Sequence, residues 1–517
     1  MYAFGLTALS LLWACGAQAA GRRPVPPPAI AEATATYGTS FFEQLIDHKD
    51  PSLGTFSQQY WWSDEWWTGE GSPVVLFTPG EEAAAEYTGY LTNRTLTGLF
   101  AEEIHGAVIL LEHRYWGNST PYTDLTTENL QYLTLENSIA DLVYFAENVD
   151  LPFDTNHSNN AQNAPWVLSG GSYSGALTAW TESVSPGTFW AYHSTSAPVE
   201  AIYDYWGYFV PVQEGMAKNC SRDVERVIKH IDEVYESGNE KKIQKLKDMF
   251  GLGDLEFDDF ASALENGPWL WQSNDFYTGY SSFFEFCDYV ENVEAGAKKV
   301  PGHDGVGLEK ALAGYAKWFK EVYFPGSCTG YGYWTDDNTT ACYDTYNASS
   351  PLFTDTSMNN AIDRQWNWLL CNEPFFYWQD GAPSGTPSIV SRTVNAAYWQ
   401  RQCSLFFPET NGYTYASAKG KTAAEVNEYT KGWDLTDTTR LIWANGQFDP
   451  WRESGVSSSL RPGGPLESRP SAPLNIIPGG FHCSDLILKN GAVNSGVQKV
   501  IDAEVAQIKT WVAEYYK

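Results

Sequence analysis

Val167-Leu168-Ser169-Gly170-Gly171-Ser172-Tyr173-Ser174-Gly175 starts as an apolar run and ends in a serine set among glycines. Ala176-Leu177-Thr178-Ala179-Trp180 then reads as the start of a helix. The stretch is a strand, a sharp turn and a helix, with Ser172 at the apex. A serine held there lifts its hydroxyl above the sheet edge, where a base and a substrate can both reach it. Such an elbow packs backbone against backbone, so it needs small neighbours. Gly170 stands two before the serine. Two after it stands Ser174, with Gly175 one place later, so the G-x-S-x-G pattern is met loosely. A plain glycine-rich turn could be written in the same letters, and the surrounding chain has to decide.

Around the elbow the text alternates strands and helices. Pro73-Val74-Val75-Leu76-Phe77 is a buried strand ending at Thr78-Pro79-Gly80, and Gly106 to Glu112 is a second. Leu135 to Val149 carries Ile139, Leu142, Val143 and Ala146 on one helical face. Alternating units of this kind predict a mostly parallel sheet covered by helices. From residue 212 to 432 the character changes. Ser221 to Phe250 is charged and helical, aromatic-rich loops follow, and six cysteines lie here. The strand pattern returns at Thr439 to Ala444 and Pro473 to Ile477, and Val493 to Tyr516 is a closing amphipathic helix. The expected fold is therefore α/β. An α/β-hydrolase core spans 41–211 and 433–517, and a large helical, disulfide-braced cap is inserted at 212–432.

Residues 1–19 read as a secretory signal, with an apolar run from Ala3 to Ala14 and a small-x-small site at Ala17-Gln18-Ala19. Residues 20–40, with Arg22-Arg23 and a proline cluster, read as a leader or propeptide. Six N-glycosylation sequons fit a secreted route: Asn93, Asn118, Asn156, Asn219, Asn338 and Asn347. Removal of Cys15 with the signal leaves seven cysteines. Neighbouring pairs predict Cys220–Cys287, Cys328–Cys342 and Cys371–Cys403, with Cys483 free. The destination is extracellular, or alternatively an acidic vacuolar or lysosomal compartment.

The chain has 63 Asp+Glu against 32 Lys+Arg, a formal net charge of −31. Nucleic acid is excluded as a partner, because phosphate binding needs a basic surface. A membrane is not expected either, since no stretch after the signal is long and apolar enough. The acidic balance suits work at low pH, although ordinary solubility would account for it too. Cys-x-x-Cys and His-Glu-x-x-His are absent, so no metal site is expected, and no cofactor is called for.

A serine nucleophile needs a base, and the base needs a group that holds its tautomer. In this fold the partners follow in the order Ser, Asp or Glu, His, each on a loop after a strand. Asn445-Gly446-Gln447-Phe448-Asp449-Pro450-Trp451 follows the first returning strand and presents Asp449. Pro478-Gly479-Gly480-Phe481-His482 follows the second and presents His482. A lone histidine is more often a structural one, and an Asp before Pro is often a helix cap. Order and position favour the catalytic reading for both, with Asp485 a weaker rival for the acid. The oxyanion needs two convergent donors. One is the Tyr173 N–H, and the other comes from the loop Pro79 to Ala83, where Gly80 permits the turn.

These residues resemble the prolyl carboxypeptidase/dipeptidyl peptidase II family of serine peptidases, and most of all the proline-specific acid endopeptidases secreted by fungi. The resemblance rests on blocks in order. They are Phe42-Glu43-Gln44 with Asp47-His48, Gly80-Glu81-Glu82, Glu112-His113-Arg114-Tyr115-Trp116-Gly117, Leu133-Thr134 with Ala140-Asp141-Leu142, the elbow, Asn445 to Trp451, and Gly480 to His482. It implies a triad of Ser172, Asp449 and His482, a helical cap over the cleft, and cleavage after proline in an apolar pocket. Trp451, and Phe376 in the segment that begins at Trp366, fall at positions that line this pocket in relatives. A flat aromatic slot suits the compact proline ring. Relatives often have Gly-Asn-Glu-Gly where this chain has Gly80-Glu81-Glu82-Ala83, and groups there, with Glu82 in this chain, help hold a free amino terminus. Leu369 stands where relatives often have glutamine. Both departures favour an endopeptidase over an exopeptidase of the same family.

Other readings make different demands. An esterase or lipase would use the same triad over a broad aliphatic groove, and this cap is aromatic and charged. A glycosidase would need two carboxylates across a sugar cleft and no serine. A non-catalytic binding protein would have no use for an intact triad.

Overall fold

The computed structural model describes residues 28–30, 37–294 and 297–517. The expected signal, 1–19, lies outside them, as does most of the 20–40 leader. The described residues contain ten strands: β1 (Gly38–Leu45), β2 (Thr55–Ser63), β3 (Val74–Phe77), β4 (Ala107–Leu111), β5 (Trp166–Gly171), β6 (Ala191–Thr195), β7 (Ile202–Asp204), β8 (Phe376–Trp378), β9 (Leu441–Gly446) and β10 (Leu474–Ile477). Eight of them form one sheet in the order β1-β2-β4-β3-β5-β6-β9-β10. β1 and β2 run antiparallel to each other, and β2 runs antiparallel to β4. Every other neighbouring pair in this sheet is parallel. The returning strands thus rejoin the same sheet, Thr195 of β6 pairing with Ala444 of β9. This is the α/β-hydrolase arrangement that the alternating pattern predicts.

Period-two alternation divides the core between the two faces of the sheet. Val75, Phe77, Val108, Leu110, Val167 and Ile442 pack with α1 (Leu96–Ile104) and the final helix, Ser495–Tyr515. Val74, Leu76, Ile109, Leu111, Trp166 and Leu168 belong to the other layer, with α2 (Leu135–Asn148) and α3 (Tyr173–Val184). Strands buried on both faces account for the unbroken apolar runs read from the sequence. From β5, the chain built β3 and β4 to one side and adds β6 to the other. Ligands of open α/β sheets bind at such a reversal, outside the carboxyl ends of the strands.

Between β6 and β9 the chain is mainly helical. The charged stretch forms two helices, Lys218–Glu236 and Glu240–Phe250. The break falls at Gly238, in the left-handed region at φ 60°, and Asn239 caps the second helix by accepting from the Lys242 N–H. Disulfides join Cys220 to Cys287, Cys328 to Cys342 and Cys371 to Cys403, and Cys483 is buried with a free thiol. That is the pairing expected from sequence neighbours. β7 and β8 form a small parallel pair that ties this stretch to the end of the first core segment. The closing helix is likewise interrupted. Asn494 ends Leu488–Val493 and caps Ser495–Tyr515 by accepting from Gly496 and Val497. Among the described residues, no helix is long and apolar enough to cross a membrane.

Candidate active site

Ser172 separates β5 from α3 with φ 61° and ψ −132°, a strained conformation for a residue with a side chain. The strain is held by close packing. A Cβ added at Gly170 would lie 2.1 Å from the Ser174 carbonyl oxygen, and one at Gly175 would lie 2.7 Å from that of Thr195. Only glycine fits at either place. Ser174, where the pattern has glycine, closes the turn: its hydroxyl donates to the Gly171 carbonyl at 2.7 Å and accepts the Gly171 N–H at 3.1 Å. Ser172 itself is fully buried, and its hydroxyl makes no hydrogen bond in this state.

Asp449 and His482 are brought into direct contact. Nδ1–H of His482 donates to Asp449 Oδ1 at 2.9 Å, and Asp449 is fully buried. The same Oδ1 accepts the Trp451 N–H at 3.0 Å, while Oδ2 accepts Asn445 Nδ2 at 3.2 Å. The capping role and the histidine-holding role of Asp449 therefore coexist, since it also caps the short helix Pro450–Ser454. Burial alone would lower the His482 imidazole, but Cys483 and Asp449 push it up, and the upward direction prevails. Burial also pushes the Cys483 thiol up, so it stays neutral in acid.

The strand β6 links the two halves of the site. The Ser172 N–H donates to the Thr195 carbonyl at 3.0 Å. One residue on, Ser196 Oγ accepts the Cys483 N–H at 2.9 Å. Asp485 is engaged elsewhere: its Oδ1 accepts from Thr195 Oγ1 at 2.7 Å.

Gly80, at φ 80°, lies against the elbow: a Cβ there would sit 3.1 Å from the Tyr173 ring and 3.3 Å from Ser174 N. Its N–H reaches Thr78 Oγ1 at a long 3.3 Å. As the first residue of α3, Tyr173 has an N–H with no acceptor inside the helix. Its side chain is fixed by His113: Nδ1–H donates to the Arg114 carbonyl at 2.9 Å, which leaves Nε2 to accept the Tyr173 hydroxyl at 3.2 Å. Burial pulls the His113 imidazole down to about 4, so it remains a neutral acceptor.

Two further sequence blocks turn out to be braces. Glu112 Oε1 accepts the Ala84 N–H at 3.0 Å, and Oε2 accepts the Asn118 N–H and the Ser119 hydroxyl at 2.9 and 2.7 Å. Arg114 grips Asp141 with two nitrogens and also donates to the carbonyls of Leu45, Ile46 and Tyr132. His48 adds a 2.8 Å contact to the same carboxylate. These roles are absent from the sequence reading, whose only signal for them was the grouping of the motifs.

The expected pocket residues separate. Trp451 is fully buried among Tyr205, Tyr208 and Tyr377, at ring distances of 5.3 to 5.5 Å, and donates to Gln272 Oε1 at 2.6 Å. Phe376 sits in β8 at φ 58° against Tyr203 and Trp378, whereas its neighbour Phe375 packs on Tyr173 and Trp180. Glu82 is half-buried in the Gly80 loop. A cavity of about 300 Å³ bounded by Trp206, Phe209, Val210 and Pro387 includes none of the expected site residues.

The family model described as Serine carboxypeptidase S28 matches residues 44–273 and 316–499, which include Ser172, Asp449 and His482. The serine protease vicPa of Bipolaris victoriae (strain FI3) is 42% identical over 501 residues, covering 95% of this chain and 92% of that protein. A probable extracellular serine carboxypeptidase of Arthroderma benhamiae (strain ATCC MYA-4681 / CBS 112371) is 29% identical, over 83% of this chain and 59% of its own length. A lysosomal Pro-X carboxypeptidase of Pongo abelii is 21% identical, over 95% of this chain and 92% of that protein.

Proposed function

The chain belongs to the serine carboxypeptidase S28 family, and from that premise we propose a secreted peptidase that cuts on the carboxyl side of proline, within peptide chains, in mildly acidic surroundings. It is a serine peptidase by family; the proline preference, the internal cutting and the acidic range are the proposal. One observation supports the catalytic assignment: a strained Ser172 at the strand–helix elbow and the loop of a buried Asp449–His482 pair are fastened to adjacent residues, Thr195 and Ser196.

In this reading Ser172 Oγ attacks the carbonyl carbon of the proline residue, and its proton passes to Nε2 of the neutral His482. Acid depletes that form because the imidazole is held up, so turnover in mild acid draws on the minor neutral fraction. Asp449 holds Nδ1–H, fixes the tautomer and stabilises the imidazolium. The oxyanion takes the Tyr173 N–H at the start of α3 and a donor from the Gly80 loop. The long Gly80–Thr78 contact gives way readily, because a charged acceptor outcompetes a hydroxyl. The imidazolium then protonates the leaving amine, and the C–N bond breaks to leave an acyl ester on Ser172. Water, deprotonated by His482, hydrolyses that ester and returns the hydroxyl.

The relative named as a Pro-X carboxypeptidase supports the proline preference, and the extracellular and lysosomal relatives support a secretory route. Exposed Asn93, Asn118, Asn156, Asn338 and Asn347 are the better glycan sites, since Asn219 is half-buried and bonds Glu291 at 3.0 Å. The carboxypeptidase names favour an exopeptidase as the second reading. Mass-spectrometric mapping of cuts in a long unstructured protein tests both. Internal cuts after proline support the proposal, release of single C-terminal residues supports the second reading, and cuts indifferent to proline defeat both.

A further inference from the structure

Beneath the candidate site lies a second buried group of ionisable side chains. His193 from β6, Asp485 from the loop after His482 and Glu504 from the final helix are all fully buried. His193 Nε2 lies 3.5 Å from Asp485 Oδ2 and 3.7 Å from Glu504 Oε1, too long for good direct hydrogen bonds but close for ion pairs. Nε2, Asp485 Oδ2 and both Glu504 oxygens have no hydrogen-bond partner. The remaining atoms are anchored: Nδ1–H of His193 faces Ser169 Oγ at 3.0 Å, and Asp485 Oδ1 accepts from Thr195. The Phe100 ring of α1 packs edge-on against the His193 ring at 5.3 Å. The other titratable groups turned toward it are the Tyr90 phenol and the Cys483 thiol, both neutral in acid because burial pushes them up.

We propose that His193, Asp485 and Glu504 form a proton-held anchor that positions the His482 loop against the elbow. The connection is short. Asp485 is in the same loop as His482 and grips Thr195, whose carbonyl accepts the Ser172 N–H. With His193 protonated and a single proton on the two carboxyls, held at Glu504, the group is neutral. Loss of the Glu504 proton leaves a net negative charge that no water reaches, which is unfavourable in a dry interior. The two carboxylates hold the His193 imidazole up, to about 9, against the downward pull of burial. Burial and Asp485 push Glu504 up to about 7. The sign follows: the neutral anchor is complete in acid and is lost as pH rises through about 7. These are positioning residues, and the proposal rests on the triad reading above.

The test uses the full-length enzyme with Glu504→Gln and Asp485→Asn, measuring kcat, KM and the thermal midpoint from pH 4 to 8. Glu504→Gln cannot ionise, so the ratio of kcat at pH 7.5 to kcat at pH 5 should rise at least threefold over native, and the midpoint should fall less between those pH values. Asp485→Asn should lower kcat at pH 5 at least tenfold with KM within threefold, because it frees a base and not a pocket wall. A Glu504→Gln enzyme with the native ratio and the native midpoint curve overturns the proposal even if Asp485→Asn does not fold. The midpoint needs no turnover, so a failed triad reading would show as lost kinetics with the midpoint effect intact. Chelation by EDTA that lowers the native midpoint, restored by zinc or manganese, would also overturn it, since the group would then be holding a metal.

Discussion

Glu112 reaches from the end of β4 to accept the Ala84 N–H at 3.0 Å, and so fastens the loop that carries Gly80 against the Ser172 elbow. Its other oxygen is filled by Asn118 and Ser119, and a Cβ at Gly117 would collide with the carboxylate. One side chain thereby sets the distance between two loops that are remote in sequence.

Glu112→Gln should therefore damage the loop more than the pocket. An amide turns a donor toward one of three donors, and a buried mismatch of that kind costs about 1–3 kcal/mol. The expected result is a fall in kcat of roughly tenfold with KM little changed and a lower thermal midpoint. Steady-state kinetics on a proline-containing chromogenic peptide would show it; unchanged kcat would mean that the loop holds without Glu112.

Ser172→Ala removes a hydroxyl that has no hydrogen bond to lose. Turnover should fall by about ten-thousand-fold or more and labelling by a serine-reactive phosphonate should vanish, while the thermal midpoint stays at the native value or slightly above. Native turnover in this variant would mean that Ser172 is not the nucleophile.

Asp449→Asn keeps the size of the side chain but reverses the tautomer held at His482. A loss in kcat of about ten-thousand-fold is expected. Asp485→Asn should cost far less, because its carboxylate faces Thr195 and His193. Equal losses in the two variants would undo the assignment of the acid.

Gly80→Ala places a methyl group 3.1 Å from the Tyr173 ring at a φ of 80° that alanine tolerates poorly. The loop must back away from the elbow, and kcat should drop on the order of a hundredfold while phosphonate labelling of Ser172 slows in parallel. Full activity would place the second oxyanion donor elsewhere.

Stability should be greatest in acid. Burial, reinforced by Asp204 and Glu265, pushes Asp380 up to about 10; burial pushes Glu200 up to about 7 and Asp259 to about 6. Each carboxyl is higher folded than unfolded, so its contribution is complete below the unfolded value near 4 and is lost as pH rises toward the folded one. Asp141 runs the other way. Burial raises it, but Arg114 and His48 outweigh burial and hold it low, so its contribution is lost only in stronger acid. The thermal midpoint should peak near pH 4–5 and fall by several degrees by pH 8; calorimetry showing a rise across that range would refute this.

Much of this was legible because backbone geometry leaves local marks. The elbow shows in Gly170 and Gly175, where nothing larger fits, and Asp449 and His482 show because each follows a strand that reads as one. β1 and β2 left no such mark. Tyr60, Trp61 and Trp62 in β2 interrupt the alternation, since aromatic residues serve both faces near the sheet edge. β6 was silent for the opposite reason: His193, Ser194 and Thr195 are polar yet fully buried, and only their partners in distant segments make that tolerable. The brace of Arg114 on Asp141 is equally invisible in one dimension, because pairing charges leave no periodic trace. The local packing of Phe376 was equally hidden: it lies in β8 at φ 58° against Tyr203 and Trp378, while its neighbour Phe375 packs on Tyr173.

Thr195 and Ala444 are sheet neighbours, yet the whole disulfide-linked helical stretch is synthesised between them. During translation β6 must wait, its edge unpaired, until that stretch has emerged. Exposed strand edges invite aggregation. Closure of the central sheet thus follows emergence of the intervening segment, and a host in which that segment folds slowly should yield insoluble chains before it yields inactive ones.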